Sequence, residues 1–389
     1  MSTYRARRQP NNAILVAIVA VVVVVTAGIV AIVVLHKPAA SSANGNGNGN
    51  GSSSTSGSGH PTVTEAVSST SPKAGELGVS PAGPIQVNLT QPLATGSPMP
   101  TISPAASGSW ALTSATTLTF EPSASLIPFQ VYTVTVPGGP SGIRGSSGDH
   151  LGSTIRFGFK VAAGSFLRLQ QLLAGLGYLP VSFAPSSASA VSASQEAITQ
   201  LGNFNWRWPN QPGTLTSLFV QGEDDVLTQG AVMMFESLHG LATDGIAGPE
   251  VWSALLKATA THQKDPNPWD WVYVQKTPEP ETLFAYSNGK QVFQTLANTG
   301  ATGFSTPDGS WPVYLHWASA TMTGKNPDGT TYDDKGVLWV SYFYKGDALH
   351  AFLRGGYGTP QSLGCVEMPT QSAATVWPLT PVGTVVTIQ

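Results

Sequence analysis

The first apolar feature of the chain is an uninterrupted run over residues 13–35, in which Thr26 is the one polar side chain. A helix of this length would be about 35 Å long, enough to cross a hydrocarbon core of about 30 Å. A buried strand rarely exceeds about 8 residues, and a cleaved signal peptide has a shorter apolar region that ends in a small-residue cleavage site. The pattern therefore predicts a transmembrane helix.

The flanks of this run predict its orientation. Three arginines lie in residues 1–12, whereas Lys37 is the one cation that follows the run closely. Cytoplasmic segments carry the excess of positive charge, so residues 1–12 are predicted to be a cytoplasmic tail, and the rest of the chain is predicted to be extracytoplasmic. Residues 36–60 are rich in Ser, Gly and Asn and predict a flexible linker. The expected localisation is the cell membrane, with a single span.

Residues 61–162 predict an all-β domain. Short apolar or alternating runs are separated by Pro, Gly and Ser, and they cover residues 85–89, 117–120, 132–136 and 157–159. Such runs favour a small sandwich of four to seven strands. Pro92-Leu93 after a strand and Phe120-Glu121-Pro122 after Trp110 resemble bacterial Ig-like domains. No titratable cluster is present here, so a spacer is the expected role.

Residues 163–258 change to a helical period. Apolar side chains recur at helical spacing in three groups, at 166, 169, 172, 173 and 176, at 227, 231, 232, 235 and 238, and at 251, 252, 255 and 256. Gly230 disfavours the second helix, and residues 181–222 form a Ser- and Ala-rich insertion. The spacing of Gly240-Leu241, Asp244-Gly245, Gly248-Pro249 and Trp252 resembles the three-helix peptidoglycan-binding module. That resemblance implies binding to cell-wall glycan or peptide.

Residues 266–389 return to β patterning. Strand-like runs cover residues 271–274, 291–293, 313–315, 337–343 and 383–388, and one short helix is predicted over 370–377. The chain is therefore predicted to be multidomain: a transmembrane helix, an all-β Ig-like sandwich, a three-helix module and a mostly-β C-terminal domain.

The amino-acid composition argues against several classes of partner and cofactor. The chain has 18 Lys and Arg against 21 Asp and Glu, and only 10% of its residues are charged. It therefore lacks the basic field that nucleic-acid binding needs, and no nucleic-acid partner is expected. The single cysteine, Cys365, excludes an internal disulfide framework. The seven histidines include no pair at helical metal-ligand spacing, so neither a metal nor another cofactor is expected. The oligomeric state is not predicted.

The candidate chemistry lies at Cys365 and at His350, which precedes it by fifteen residues. A free thiol has a pKa near 8.5, and an imidazole within hydrogen-bond reach can take its proton. The glycines and Pro360 between the two residues allow the chain to leave and return. Gly364 leaves room for a substrate carbonyl, and the backbone N–H groups of Gly364 and Cys365 are candidate donors of an oxyanion hole, with Gly364 as the assigned residue. An inert buried thiol and a structural histidine remain the alternatives.

This stretch resembles the L,D-transpeptidase (YkuD-type) catalytic domain. The matching residues are His350, Ser362, Gly364 and Cys365, and the Thr-Pro-x-Gly turn matches at 306–309. The resemblance implies that Cys365 is the nucleophile, that His350 is the general base and acid, and that the backbone carbonyl of Ala351 orients the imidazole. It also implies a thioester intermediate and acylation by carbapenems.

Four further residues are candidate substrate contacts: Ser362 in the motif, Arg354 and Tyr357 in the loop before it, and Tyr332 as the tyrosine of a lid between strands. Two positions depart from the family pattern. Leu363 replaces the usual histidine, and Glu367 places a carboxylate near the thiol, where it would raise the thiol pKa unless it is paired. Arg354 is a candidate partner for Glu367.

The resemblance implies peptidoglycan biosynthesis, hence cell-wall organisation and cell shape, with stem peptides as the partner. The expected reaction transfers the acyl group of a tetrapeptide stem to a neighbouring amine and gives a 3→3 cross-link. Water as the acceptor would instead give L,D-carboxypeptidase activity. A third possibility is a catalytically weak or inactive wall-binding scaffold, in which Leu363 and Glu367 mark a decayed site.

Overall fold

The computed structural model describes residues 66–187 and 191–389, which belong to one compact unit of the chain. Within these two ranges, no helix is both long and apolar enough to cross a membrane. The predicted tail 1–12, the predicted transmembrane helix 13–35 and the predicted linker 36–60 lie outside the described residues.

The N-terminal domain is a sandwich of two four-stranded sheets, ordered β1-β3-β6-β5 and β2-β8-β7-β4. Its strands are β1 (Val67–Ser71), β2 (Leu77–Val79), β3 (Ile85–Leu89), β4 (Thr101–Ser103), β5 (Gly108–Ser114), β6 (Thr117–Pro122), β7 (Val131–Val136) and β8 (Ile155–Val161). Alternating side chains such as Ile85, Val87 and Val134 are fully buried between the sheets. The domain therefore has eight strands, more than the sequence pattern predicted.

The second domain contains the three predicted helices and one short extra helix. They are α1 (Phe166–Leu176), α2 (Gly213–Thr216), α3 (Val226–His239) and α4 (Pro249–Ala260). The Ser165 hydroxyl caps α1 by accepting from the Arg168 N–H at 3.1 Å, and the Asp225 carboxylate caps α3 by accepting from the Thr228 N–H at 2.7 Å. Each cap satisfies an N–H that the first turn would leave unpaired.

The insertion between α1 and α3 is ordered as a hairpin that the sequence analysis did not predict. Strands β9 (Val181–Pro185) and β10 (Gly202–Trp206) pair antiparallel. Beyond β10, Trp208 packs against the backbone of Gly289 in the C-terminal domain, where no Cβ would fit. The Trp208 ring also lies 6.2 Å from that of Trp269. The insertion therefore links the helical domain to the C-terminal domain.

The C-terminal domain is built from two sheets, ordered β13-β12-β11-β19-β14 and β15-β16-β17-β18. Its elements are β11 (Asp270–Gln275), β12 (Thr282–Ser287), β13 (Lys290–Leu296), β14 (Gly309–Pro312), β15 (Leu315–Lys325), β16 (Thr331–Tyr344), β17 (Asp347–Ala351), β18 (Val366–Met368), α5 (Thr370–Val376) and β19 (Val385–Ile388). The sheets enclose one apolar core, to which Val272, Leu349 and Val386 contribute.

The predicted strand over residues 313–315 does not form as one element. The chain leaves the first sheet after Pro312 and enters the second sheet at Leu315. Val313 is fully buried at this crossing. Its apolar character therefore reflects burial between the sheets and not strand pairing.

The helical domain and the C-terminal domain share one hydrophobic core. Trp269, Trp271 and Val385 of the C-terminal domain cluster with the buried side chains of α1, α3 and α4. At this junction α3 passes directly over the turn before β19. A Cβ at Gly230 would collide with the Gly383 carbonyl, and a Cβ at Gly383 would collide with the Gly230 carbonyl. The two glycines therefore allow backbone-to-backbone packing between the domains.

Candidate active site

The register of β17 and β18 positions the two candidate catalytic residues. These strands are parallel, with His350 opposite Glu367 and Leu349 opposite Val366. Cys365 immediately precedes β18 and packs against the small apolar cluster that contains Ala348. Ala348 and His350 are two residues apart in β17, so their side chains lie on the same face of the sheet as Cys365.

The His350 imidazole is held by the backbone. It is 3% exposed, and its Nδ1 lies 3.0 Å from the Ala351 carbonyl oxygen. A carbonyl only accepts, so Nδ1 carries the proton, and Nε2 keeps a lone pair. Burial lowers the pKa of His350 below 6.5. The residue is therefore a neutral base at neutral pH, and the Ala351 carbonyl lies where the sequence analysis expected it.

The Cys365 thiol is not ionised on its own. Burial raises its pKa to about 12, and the negative charges of Asp347 and Glu367 act in the same direction, whereas the Ala348 N–H favours the thiolate. The sulfur therefore needs a base to become nucleophilic at neutral pH. Among the hydrogen bonds of the described residues, none joins Cys365 to His350.

The loop before Cys365 is tied down by its own backbone. Gly364 has φ +121°, a conformation that glycine adopts without strain. Its N–H donates to Ser362 Oγ at 3.2 Å, and its carbonyl accepts from Thr306 Oγ1 at 2.7 Å. The Gly364 N–H is thus occupied, while the Cys365 N–H has no partner in the described part of the chain.

Two predicted substrate contacts are internal supports of this loop. Ser362 is fully buried, and its hydroxyl donates to the Cys365 carbonyl. The Tyr357 hydroxyl donates to the Phe352 carbonyl at 2.7 Å and accepts from the Arg354 N–H at 3.3 Å. Because these hydroxyls bind backbone groups, Ser362 and Tyr357 position the loop. Ser362 is buried away from the surface, whereas the Tyr357 ring is only half-buried.

The Arg354 guanidinium forms an ion pair with Glu367. The guanidinium donates from Nε to Oε2 at 2.7 Å and from its second terminal nitrogen to Oε1 at 2.8 Å. The Glu367 carboxylate is 6% exposed, and this hydrogen-bonded partner raises the pKa of Arg354. The pair that the sequence analysis considered is therefore formed, and the charge of Glu367 is compensated beside His350.

Tyr332, the predicted lid residue, lies in a long strand of the second sheet of the catalytic domain. It belongs to β16 opposite Gly324 of β15, and its ring covers Gly324, where a Cβ would meet the ring. Burial raises the pKa of Tyr332, and so does the negative charge that Cys365 acquires on ionisation. The aromatic ring therefore contributes a wall close to the nucleophile.

Sequence reasoning did not identify Tyr314, Tyr342 or Asp347 at this site. The charge of ionised Cys365 raises the pKa of both tyrosines after burial. The Asp347 carboxylate lies against Gly364. In the sequence these three residues are only polar side chains near the starts and ends of strands. The pairing of strands β15 to β18 brings them together.

Asn298 is a further support that the sequence analysis missed. It is fully buried, and its Oδ1 accepts from the Gly358 N–H at 2.9 Å. Its Nδ2 donates to the Gly356 carbonyl at 3.1 Å. A fully bonded buried amide fixes the path of the glycine-rich loop between His350 and Cys365.

Within residues 66–187 and 191–389, no group of three or more His, Cys, Asp or Glu side chains is placed to hold a metal ion.

Three family models match separate parts of the chain. A bacterial Ig-like domain matches residues 61–161, and a putative peptidoglycan binding domain matches residues 187–255. The L,D-transpeptidase catalytic domain matches residues 270–388. The last match contains every residue of the site described above.

Individual proteins were similar over different shares of the chain. The zinc D-Ala-D-Ala carboxypeptidase of Streptomyces albus G is 30% identical over 102 residues, covering 22% of this chain and 40% of that relative. The chain thus spans less than half of the relative's length. The L,D-transpeptidase from Mycobacterium smegmatis is 11% identical, covering 84% of this chain and 100% of that chain, with a TM-score of 0.28.

The catalytic domain of the E. faecium L,D-transpeptidase, acylated by ertapenem, is 23% identical to this chain. It covers 32% of this chain and 99% of its own, with a TM-score of 0.28. The three family models divide the protein into recognisable parts. The chain contains a bacterial Ig-like domain, a peptidoglycan-binding domain and, around His350 and Cys365, an L,D-transpeptidase catalytic domain of the YkuD family.

Proposed function

We propose that the protein is an L,D-transpeptidase that forms 3→3 peptidoglycan cross-links through a thioester on Cys365. The observation that carries this proposal is the pairing of β17 with β18. It sets a neutral, backbone-oriented imidazole and a thiol on the same face of one sheet. The match to the L,D-transpeptidase catalytic domain over residues 270–388 supports the same reaction.

In the first half-reaction, His350 Nε2 takes the proton of the Cys365 thiol, and the sulfur attacks the carbonyl of the third stem residue. Catalytic hydrogen bonds are often long before substrate binds and shorten in the complex. The Cys365 N–H is the donor we assign to the oxyanion, since the Gly364 N–H already donates to Ser362. The peptide C–N bond breaks, and the terminal D-Ala leaves with the proton from His350.

In the second half-reaction, an amine of a neighbouring stem attacks the thioester. A new amide bond forms, and the C–S bond breaks. One amine proton passes through His350 to the departing sulfur, which restores the thiol. Water as the acceptor gives hydrolysis and an L,D-carboxypeptidase instead.

The N-terminal residues give this proposal a location. We propose that the run 13–35 anchors the protein in the cell membrane and that the catalytic domain lies on the wall side. Deleting residues 1–37 should move the protein from the membrane fraction to the soluble fraction of a cell lysate. Retention of the deleted form in the membrane fraction would contradict the anchor.

The reaction can be tested with the full chain in detergent and a disaccharide-tetrapeptide, with products identified by mass spectrometry. We expect 3→3 dimers from the wild type and none from C365A, which should keep the circular dichroism spectrum of the wild type. Ertapenem should add its mass to the wild type and not to C365A. Dimers formed by C365A would refute the thioester mechanism.

One observation favours the inactive scaffold as the second candidate. The thiol is protonated, and no hydrogen bond within the described residues joins it to His350. A wild-type protein that neither converts the tetrapeptide nor reacts with ertapenem, yet binds isolated peptidoglycan, would support this scaffold and exclude the enzyme.

A further inference from the structure

We propose that the Asp347 carboxylate binds the cationic amine of the acyl acceptor and so favours cross-linking over hydrolysis. This proposal rests on the proposed function, because it concerns the second half-reaction of the same site. It assigns a role to a residue that the first half-reaction does not use.

Asp347 lies directly beside the nucleophile loop. It is the first residue of β17, and its carboxylate occupies the space in front of Gly364. A Cβ built on Gly364 would lie 3.1 Å from Asp347 Cγ and closer still to Oδ1. Gly364 immediately precedes Cys365, so a group bound to this carboxylate is held next to the sulfur.

The carboxylate has no partner of its own. Asp347 is half-buried, yet among the described residues no hydrogen bond or ion pair engages its side-chain oxygens. The nearest cation in sequence, Lys345, lies with Nζ 5.0 Å from the centre of the Tyr344 ring. Burial raises the pKa of Asp347, and the charge of Lys345 lowers it by a smaller amount without forming an ion pair. Charges that are removed from water are usually paired. The structure therefore leaves an anionic position open to a ligand.

For the first half-reaction alone this charge is a disadvantage. It raises the pKa of the Cys365 thiol, in addition to the larger effect of burial. Anions placed where they oppose the formation of another anion are typical of functional sites. In the second half-reaction, a bound ammonium group neutralises Asp347, so the charge of this carboxylate no longer opposes departure of the sulfur from the thioester.

The walls around the carboxylate also suit a cation. The charges of both Asp347 and Cys365 raise the pKa values of Tyr314 and Tyr332. The Tyr314 hydroxyl also donates to the Lys345 carbonyl, two residues before Asp347, so Tyr314 lies at the same end of β17 as the carboxylate. Aromatic faces attract ammonium groups and exclude water from around them. A site with one free carboxylate and aromatic walls fits a primary ammonium better than a neutral acceptor such as water.

The chemistry balances without another reagent. The bound ammonium gives one proton to Asp347, and the neutral nitrogen attacks the thioester carbonyl. The C–N bond forms and the C–S bond breaks. The second proton goes through His350 to the sulfur, and the amide keeps the third. Asp347 then releases its proton to solvent before the next acceptor binds.

The test compares D347N with D333N in the full chain. Asparagine keeps the size of the group against Gly364 and removes its charge. Asp333 is an exposed carboxylate whose ion pair is with Lys335, so D333N changes the net charge equally, away from Gly364. Donor tetrapeptide is supplied with an amine acceptor of increasing concentration, and mass spectrometry measures the ratio of cross-linked to hydrolysed product.

We expect D347N to raise the KM for the amine at least tenfold and to shift the product ratio towards hydrolysis, with D333N unchanged. Its acylation by ertapenem should be as fast as in the wild type or faster, which also shows that D347N is folded. An unchanged KM for the amine in an acylated D347N would overturn this proposal. A wild type without any acylation would overturn the proposed function instead.

Discussion

Glu367 is accommodated inside the catalytic domain because Arg354 meets both of its oxygens. Charge-assisted hydrogen bonds to both oxygens of a carboxylate are among the stronger polar contacts in proteins. The pair also acts on His350. The negative charge of Glu367 raises the pKa of His350, and the positive charge of Arg354 lowers the pKa of His350. The departure from the family pattern at position 367 is therefore compensated.

Replacing Arg354 by an uncharged residue should lower the stability of the protein. R354M leaves a buried carboxylate unpaired, and we expect the free energy of unfolding to fall by about 1–3 kcal/mol, less than the full value for a buried pair since Arg354 is partly exposed. Urea denaturation measures it. R156M is the matched control, because Arg156 is exposed on the Ig-like domain and should change stability by less than about 0.5 kcal/mol. Equal effects of the two variants would show that the pair contributes nothing.

The pH dependence of acylation should reveal the neutral imidazole. Since burial lowers the pKa of His350 below 6.5, the rate of ertapenem acylation should fall as the pH is lowered from 8, with its midpoint below pH 6.5, where the ring gains a proton. Rapid-mixing mass spectrometry measures this rate. A midpoint at or above 6.5 would contradict the assignment.

H350Q is the informative comparison for this profile. Without a base, the rate depends on the free thiolate, whose pKa is about 12. The acylation rate of H350Q should therefore rise about tenfold per pH unit between pH 7 and pH 10. A flat profile in H350Q would mean that another group deprotonates Cys365.

At the residue scale, the sequence predicted the groups that a linear motif contains. His350 and Cys365 follow from their spacing, and the Ala351 carbonyl follows from the family resemblance. The same motif could not reveal that Ser362, Tyr357 and Arg354 are used inside the protein. It also could not place Asp347 beside Gly364, because strand register decides which distant residues become neighbours.

At the scale of helices and strands, α3 forms although it contains a glycine, which disfavours helices. Gly230 lowers helix propensity by about 1 kcal/mol relative to alanine, and the sequence analysis took it as evidence against the helix. The helix nevertheless runs from Val226 to His239. The glycine is required where α3 touches Gly383, so the lost propensity is offset by close packing between domains.

This reading predicts opposite effects for two glycine-to-alanine changes in helices. G230A should destabilise the protein by about 1–3 kcal/mol, because the new methyl group overpacks the junction. G175A should stabilise it by about 0.5–1 kcal/mol, since nothing lies within 4 Å of a Cβ at Gly175 in α1. Thermal and urea denaturation measure both. Stabilisation by G230A would contradict the close contact with Gly383.

The hairpin of β9 and β10 could not be predicted from the pattern of apolar and polar residues. Its strands are short, and residues 181–222 carry many Ser and Ala side chains, which predict neither a helix nor a buried strand. Aromatic residues of the insertion pack within it and outside it: Phe204 lies 5.2 Å from Phe219 between ring centres, and Trp208 lies 6.2 Å from Trp269. Such contacts depend on tertiary packing, which local periodicity does not encode.

For the whole molecule, the shared core joins the peptidoglycan-binding domain to the catalytic domain. Trp271 is fully buried and belongs to the cluster formed with α1, α3 and α4. The change of hydrophobic period predicts separate units over residues 163–258 and 266–389. Their boundary was visible as a change of period, but the packing across it was not, since Trp269 and Trp271 also suit a strand.

Ertapenem should therefore stabilise the helices as well as the sheets. Acylation of Cys365 favours the folded catalytic domain, and the helical signal at 222 nm should melt at the same raised temperature as tryptophan fluorescence. A fragment of residues 266–389 should be less stable, because each large apolar side chain that loses its cover costs about 1.5–3 kcal/mol. Helices that melt at an unchanged temperature after acylation would contradict a common core.

The crossing of Gly230 and Gly383 has a mechanical consequence. Because the two backbones are in direct contact at Gly230 and Gly383, the helical domain and Cys365 should keep a constant separation. If the helical domain binds the wall, as the proposed function requires, each cross-link should form at a fixed distance from the point at which the wall is bound.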